Sequence, residues 1–306
     1  MGMAPACVVP RARRYASSSV AKISEILREG ISYSFEFFPP RTPQAEETLA
    51  RALAELEPLG PSYVSVTYGA GGSTLERAHE LVVQILHETR ITPMAHLTCV
   101  GHTRDELVDI VTHYRDAGID NILALGGDPP AGVDLPPGDL EHSIDLVRLV
   151  RDVGDFAIGV AAHPEPHPHS PSKESDRYFT AAKLAEADFA ITQFFFEPEH
   201  YFDLVDSLRA HGVEKPVVAG IMPATSLSAI TRMANLQGSE FPEWLAQKLR
   251  AVGDDPDAVR AVGVEEATKL CRALLDGGAP GLHFYTLNRS SATREIYANL
   301  GLTPAR

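Results

Sequence analysis

Several common routes to a functional site are missing from this chain. Its three cysteines, Cys7, Cys99 and Cys271, lie far apart and form no CxxC pair. Neither a disulfide framework nor a thiolate zinc site is indicated, and a reducing, cytoplasmic setting fits. No apolar run is long enough to span a bilayer. No GxSxG elbow occurs, so α/β-hydrolase chemistry has no support. No GxGxxG follows a strand, so a Rossmann dinucleotide site is absent. The lysines are Lys22, Lys173, Lys183, Lys215, Lys248 and Lys269, none in a predicted strand core. Schiff-base chemistry therefore lacks its nucleophile. Positive charge is also in short supply: 27 Lys and Arg face 41 Asp and Glu, a formal net charge of −14. Such a chain is a poor partner for nucleic acid or an anionic membrane, though a local basic pocket can still hold an anionic ligand.

The opening stretch, MGMAPACVVPRARRYASSSV, carries Arg11, Arg13 and Arg14 and no acid, but lacks the apolar core of a secretory leader. Residues 1–17 read as a disordered tail. The remainder, 18–306, reads as a single domain.

What is present alternates regularly. Short β-rich runs occur at YSFEFFPP, YVSVTYG, PMAHLTCV, NILALGGD, FAIGVAAHP, FAITQFFF, PVVAGIMP and GLHFYTLN. Amphipathic stretches separate them, such as 44–59, 75–88, 104–116, 140–153 and 177–187. In RDELVDIVTHYRDAG, Leu107, Ile110, Val111 and Tyr114 share one helical face and Gly118 ends it. Alternation of this kind predicts parallel βαβ units, and eight strands predict a closed α/β (β/α)8 TIM barrel. A first helix over 18–29 should cap the barrel bottom. The segment 224–278, with FPEWLAQKL and EEATKLCRALLDGG, reads as a helical insertion between strands seven and eight.

In a barrel the chemistry gathers at the C-terminal ends of the strands. Unusual polar residues gather there too: Glu36 on strand one, Thr67 and Tyr68 after strand two, His96 and Thr98 on strand three. Asp128 follows strand four, His163, Glu165 and His167 follow strand five, and Gln193 ends strand six. Tyr285, Asn288 and Arg289 follow strand eight. Glu36 is the most telling. It stands between Phe35 and Phe37 in YSFEFFPPR, where a carboxylate is costly unless paired, protonated or used. Alternation aims it into the barrel, opposite its apolar neighbours. A pairing with Arg41 would make it merely structural. A carboxyl in an apolar pocket can instead serve as a general acid near neutral pH. The run HPEPHPH, His163 to His169, lacks convergent ligands elsewhere, and no metal is expected. The glycine-rich turns YGAGGST and GGDPP, which include Gly71 and Gly127, would let phosphates approach backbone N–H groups.

Taken in order, YSFEFFPP, VSVTYGAGGS, AHLTCVG, LALGGDPP, ITQFFF, GIMP and HFYTLNRS resemble the methylenetetrahydrofolate reductase family, in its single-domain bacterial form, from about Ile31 to Leu300. The resemblance implies a (β/α)8 barrel that reduces 5,10-methylenetetrahydrofolate to 5-methyltetrahydrofolate with NADH or NADPH through bound FAD, feeding methionine synthesis. It gives Glu36 the task of protonating a folate nitrogen and Asp128 that of stabilising the cationic iminium. It places Gln193 on folate and nicotinamide, Thr67 on nicotinamide, and Tyr285 and Arg289 near the folate glutamate. His96, His167, Asp176 and Lys183, with backbone near Tyr68, Ala70 and Ala161, fall on flavin-contacting positions. Some positions depart from the pattern. The family's arginine before GD is Gly126 here, the aromatic before PE is His163, and a folate-contacting glutamine and phenylalanine are Ala229 and Met233. His163 could compensate for Gly126. Two alternatives stay open: direct hydride transfer from NADH without flavin, and a folate- or flavin-binding barrel without turnover. No arginine cluster suits a 2′-phosphate, which favours NADH over NADPH. A homo-oligomer is compatible with the outer helices.

Overall fold

In the computed structural model the described residues are 21–68, 72–127 and 138–302. The expected tail over 1–17 and three candidate site residues, Ala70, Gly71 and Asp128, lie outside them.

Eight parallel strands close in sequence order into a barrel. They are β1 Ser32–Phe37, β2 Tyr63–Val66, β3 Pro93–Thr98, β4 Asn121–Leu125, β5 Ala157–Ala162, β6 Phe189–Phe194, β7 Val217–Ile221 and β8 Gly281–Tyr285. The seam joins first and last strands, with Ser34 opposite His283 and Glu36 opposite Tyr285. Around the barrel run α2 Pro43–Leu56, α3 Gly72–Glu88, α4 Arg104–Asp116, α5 Ser143–Val153, α6 Lys173–Glu186, α7 Pro198–Ala210, α10 Pro256–Asp276 and α11 Ser291–Leu300. Outward-facing strand residues such as Phe35, Phe37, Val64 and Ile158 pack with helix residues such as Leu49, Leu107 and Leu146 in the main core.

Local chemistry sets the helix limits. On α4, Thr103 and Glu106 form a reciprocal capping box, and Leu107, Val111 and Tyr114 are buried as the periodicity predicts. The expected start of the sixth helix at Arg177 is corrected to Lys173, because Ser172 caps the helix there by accepting from Ser175 N. The fifth starts at Ser143 rather than at residue 140.

A short first helix, α1 Ile23–Glu29, seals the bottom. Its Ile23 and Leu27 join Tyr63, Met94, Leu123, Phe189 and Val218 in a second apolar cluster. Ile23 N also donates to Asn121 Oδ1 at 2.7 Å. The barrel interior is thus plugged below and chemically usable only above.

Between β7 and β8 lie α8 Leu227–Gln237 and α9 Glu243–Ala251 ahead of α10. The expected insertion is real but shorter than the sequence suggests. EEATKLCRALLDGG belongs to α10 and the turn after it, and α10 packs on α11, α7, α9 and β7 as the barrel's own outer helix. The insertion proper, α8 and α9, builds a third apolar cluster with Phe194, Met222 and Ala224 at the barrel rim.

Candidate active site

Strand alternation does to Glu36 what the pattern predicts. Phe35 and Phe37 are fully buried in the outer core, while Glu36 retains 17% of its side-chain exposure. No ion pair with Arg41 is formed among the described residues. Glu36 Oε2 instead stands 3.6 Å from His96 Nε2 on β3 and 3.6 Å from His283 Nε2 on β8. The contact with His96 is not an ion pair at pH 7. Burial pushes the His96 imidazole down to about 4 against the opposing pull of Glu36, so its ring is neutral at pH 7.

His283 is the residue sequence reading missed. It is fully buried, with Nδ1 2.7 Å from Ser34 Oγ and Nε2 3.4 Å from Ser65 Oγ. Tyr63 stacks on its ring, and Tyr285 meets it edge-on with centroids 5.4 Å apart. Burial raises the phenols of Tyr63 and Tyr285, so both remain neutral hydroxyls. The only sequence signal was a histidine in the middle of an otherwise apolar strand.

The other side of the mouth is held by β6 and β8. Tyr285 Oη donates to Thr192 O at 2.7 Å, next to Gln193. A register shift between Ile191 and Phe194 disturbs the β6–β7 pairing at this point. Gly220 makes the crossing possible: a Cβ there would press on Thr192 O and come within 2.7 Å of the Tyr285 ring. Thr67 N donates to Phe37 O at 2.8 Å, which sets the end of β2 beside the end of β1. The Tyr68 hydroxyl lies 2.5 Å from His102 Nε2, and burial pushes that phenol up to about 12. Two buried polar atoms on β3, His96 Nε2 and Thr98 Oγ1, lack hydrogen-bond partners. Gly127, with φ +83, lies so close to Thr98 that a Cβ would approach its Cβ to 2.8 Å.

After β5 the structure gathers a second set. His163 packs edge-on to His167 with centroids 4.6 Å apart. Burial, then the nearby Lys183, His167 and Arg177, push His163 down to about 3. Lys183 is pushed down to about 8 by burial, with Asp176 opposing. Asp176 accepts from His167 N at 3.1 Å and from Arg177 Nη1 at 3.0 Å. Arg177, which sequence reading passed over as a helix start, is buried and also donates to His163 O and Pro164 O. It fixes the loop that carries the histidines. Ala161 sits on β5 just below, paired with Ile191. Arg289 is exposed on the rim after β8. No group of three or more His, Cys, Asp or Glu among the described residues is arranged to hold a metal.

A half-buried carboxyl stands beside two buried histidines at the open end of a barrel plugged at its other end, the arrangement of a (β/α)8 enzyme with its polar centre at the C-terminal mouth. A family model described as methylenetetrahydrofolate reductase matches residues 22–301, and the chain belongs to that family of oxidoreductases. The 5,10-methylenetetrahydrofolate reductase of Pectobacterium carotovorum subsp. carotovorum is 38% identical over 91% of this chain and 93% of its own. That of Escherichia coli (strain K12) is 38% identical over 90% and 92%. In Arabidopsis thaliana, methylenetetrahydrofolate reductase (NADH) 1 is 35% identical over 92% of this chain and 50% of its own. Among solved structures, an uncharacterized protein from Clostridium thermocellum that binds two copies of 5-methyl-5,6,7,8-tetrahydrofolic acid has a TM-score of 0.60. It is 14% identical over 90% of this chain and 96% of its own, a likeness of fold alone.

Proposed function

We propose that this barrel reduces 5,10-methylenetetrahydrofolate to 5-methyltetrahydrofolate, with Glu36 as the proton donor and NADH as the electron source. The observation that carries the reading is the placement of Glu36 between two buried histidines, one of them His96 in its neutral form, at the C-terminal mouth. In the reaction, a proton from the Glu36 carboxyl goes to a ring nitrogen of the folate and its bond to the methylene carbon breaks. The resulting iminium carbon then accepts a hydride, which makes the methyl group. Asp128, outside the described residues, would stabilise the iminium cation. Gln193, Tyr285 and Arg289 would hold the folate, with the Arg289 guanidinium suited to its glutamate carboxylate. Thr67 and Gln193 would face the nicotinamide. The plant relative's designation as NADH-linked supports NADH.

The residues present fit FAD. His96 Nε2 and Thr98 Oγ1, buried without a hydrogen-bond partner, the close backbone approach at Gly127 and the Lys183 amine near Asp176 offer polar contacts to such a group. Tyr68, Ala70, Gly71, His96, Gly127, Asp128, Ala161, His163, His167, Asp176 and Lys183 would hold it. Bound there, FAD would supply a two-electron carrier between the nicotinamide and the folate. Direct transfer from NADH is the second reading, favoured by Gly126, which offers no side chain toward such a group. The buried free thiols of Cys99 and Cys271 suit a reducing cytoplasm.

The visible spectrum of the purified protein, before and after addition of FAD, tests the choice. A flavin spectrum that NADH bleaches and methylenetetrahydrofolate restores supports the first reading. A colourless protein that still oxidises NADH against the folate supports the second. A protein that does neither overturns both.

A further inference from the structure

Tyr68 and His102 meet on the outer side of the barrel wall. Val66 lies in the outer core, so alternation turns Thr67 inward and Tyr68 outward. Tyr68 is only 9% exposed, and its hydroxyl lies 2.5 Å from His102 Nε2. Burial and then Tyr68 raise the phenol of Tyr114 on α4, which sets the Tyr68 side chain against that helix. His102 is delivered by the start of α4. Gly101 before it has φ +75, and Thr103 after it forms the capping box with Glu106. His102 O accepts from Asp139 N at 3.0 Å, and Arg104 N donates to Asp139 Oδ2 at 2.8 Å. The imidazole therefore hangs from a backbone tied on both sides. Burial holds it below its usual value, with Glu106 opposing, so the ring is neutral at pH 7. Glu106 Oε2 stands 3.9 Å from Nδ1, which favours the proton there and leaves Nε2 to accept from the Tyr68 hydroxyl.

We propose that His102 is a positioning residue for the nicotinamide: by holding Tyr68 against α4 it fixes the end of β2, and with it the inward aim of Thr67. The inference rests on the proposed function and deepens it, since Thr67 is there the residue that faces the nicotinamide. Two anchors bracket Thr67. Its own N–H is tied to Phe37 O on β1, and the next side chain is tied to the start of α4. Without the second, the end of β2 can swing about the first. A displacement of about 1 Å is enough to slow a transfer that depends on close approach. The proton donor and the folate residues stand on β1, β6 and the β8 rim, so the anchor bears on one substrate and spares the other.

The test uses the full chain with FAD in excess and the variants His102→Leu, Tyr68→Phe, His102→Gln and the double variant of the first two. Steady-state kinetics gives kcat/KM for NADH, and calorimetry gives the dissociation constant of 5-methyltetrahydrofolate. His102→Leu and Tyr68→Phe are each expected to lower kcat/KM for NADH about tenfold and to leave folate affinity within about twofold. Both remove the same bond, so the double variant should be no slower with NADH than the worse single one. His102→Gln, whose carboxamide oxygen can accept from the phenol, should return to within about threefold of wild type. Unchanged kcat/KM for NADH in Tyr68→Phe overturns the proposal. Additive losses in the double variant, or His102→Gln as slow as His102→Leu, overturn it too. So does a loss of folate affinity as large as the loss for NADH, because a loosened barrel spares neither substrate. If the His102 variants do not fold, Tyr68→Phe keeps the ring and carries the test. A wild-type protein that oxidises no NADH overturns the functional reading itself, an outcome distinct from all of these.

Discussion

His283 Nδ1 lies 2.7 Å from Ser34 Oγ, across the seam where the last strand of the barrel pairs with the first. The bond fixes the imidazole so that its other nitrogen faces Glu36 at 3.6 Å. His283→Phe keeps the bulk and removes both nitrogens. It is expected to lower kcat/KM for methylenetetrahydrofolate by about 10²-fold through misplacement of Glu36, while circular dichroism shows a folded barrel. An unaltered folate rate would remove His283 from the site.

Glu36→Gln preserves shape and removes the proton. The loss in folate turnover should be about 10²- to 10⁴-fold, the usual range for a general acid. Under the flavin reading proposed above, stopped-flow measurement of NADH consumption in the absence of folate should be unchanged, which separates loss of the proton from a binding defect.

Acid should destabilise the barrel through its buried histidines. His96 is ordinary at 6.5 when unfolded and is pushed down to about 4 when folded. Between those values the unfolded chain binds the extra proton, so stability is fully present above about pH 6.5 and falls as pH drops toward 4. The two and a half units correspond to about 3 kcal/mol, and His163, pushed down to about 3, acts in the same direction. Thermal melts from pH 7 to pH 4 should show the decline, and His96→Gln should flatten it. A melting temperature level across that range would contradict the assignment.

Arg177→Met would strand Asp176 and leave the carbonyls of His163 and Pro164 without their donor. Breaking such a buried pair from one side costs about 3–5 kcal/mol. Urea unfolding should show a lower midpoint with an unchanged slope.

Gly220→Ala tests the crossing of Tyr285 over β7. The new methyl would displace the Tyr285 ring from Thr192, at a cost of about 1–3 kcal/mol. The near-ultraviolet circular dichroism of the aromatic cluster should change, and the folate rate should fall.

Much of this was visible in the chain before folding. Period-two alternation aimed Glu36 inward, and its burial between Phe35 and Phe37 marked it as unusual. Helical periodicity set α4 almost to the residue. What stayed hidden depends on closure. Ser34 and His283 are 249 residues apart, and nothing local says they meet. In HFYTLN, His283 reads as a core residue until β8 is placed beside β1. Asn288 reads as a turn former, and only its bonds to Phe38 N and Phe38 O show that it replaces backbone pairing at the end of the β1–β8 ladder. Arg177 was hidden for a different reason: a charged residue in the first turn of a helix reads as solvent-facing, and the loop folded over it supplies the carbonyls that bury it. The insertion was overestimated because apolar periodicity alone cannot separate α10, an outer barrel helix, from α8 and α9.

The seam between β1 and β8 gives this barrel a built-in report on its own completion. Its acid is made near the start of synthesis, but the histidine that steadies it is among the last residues to leave the ribosome. Half-barrels cut anywhere between them would carry every part and no working centre. Mixed together, two such fragments should regain turnover only to the extent that the seam zips, which would make folate reduction a direct assay of barrel reassembly.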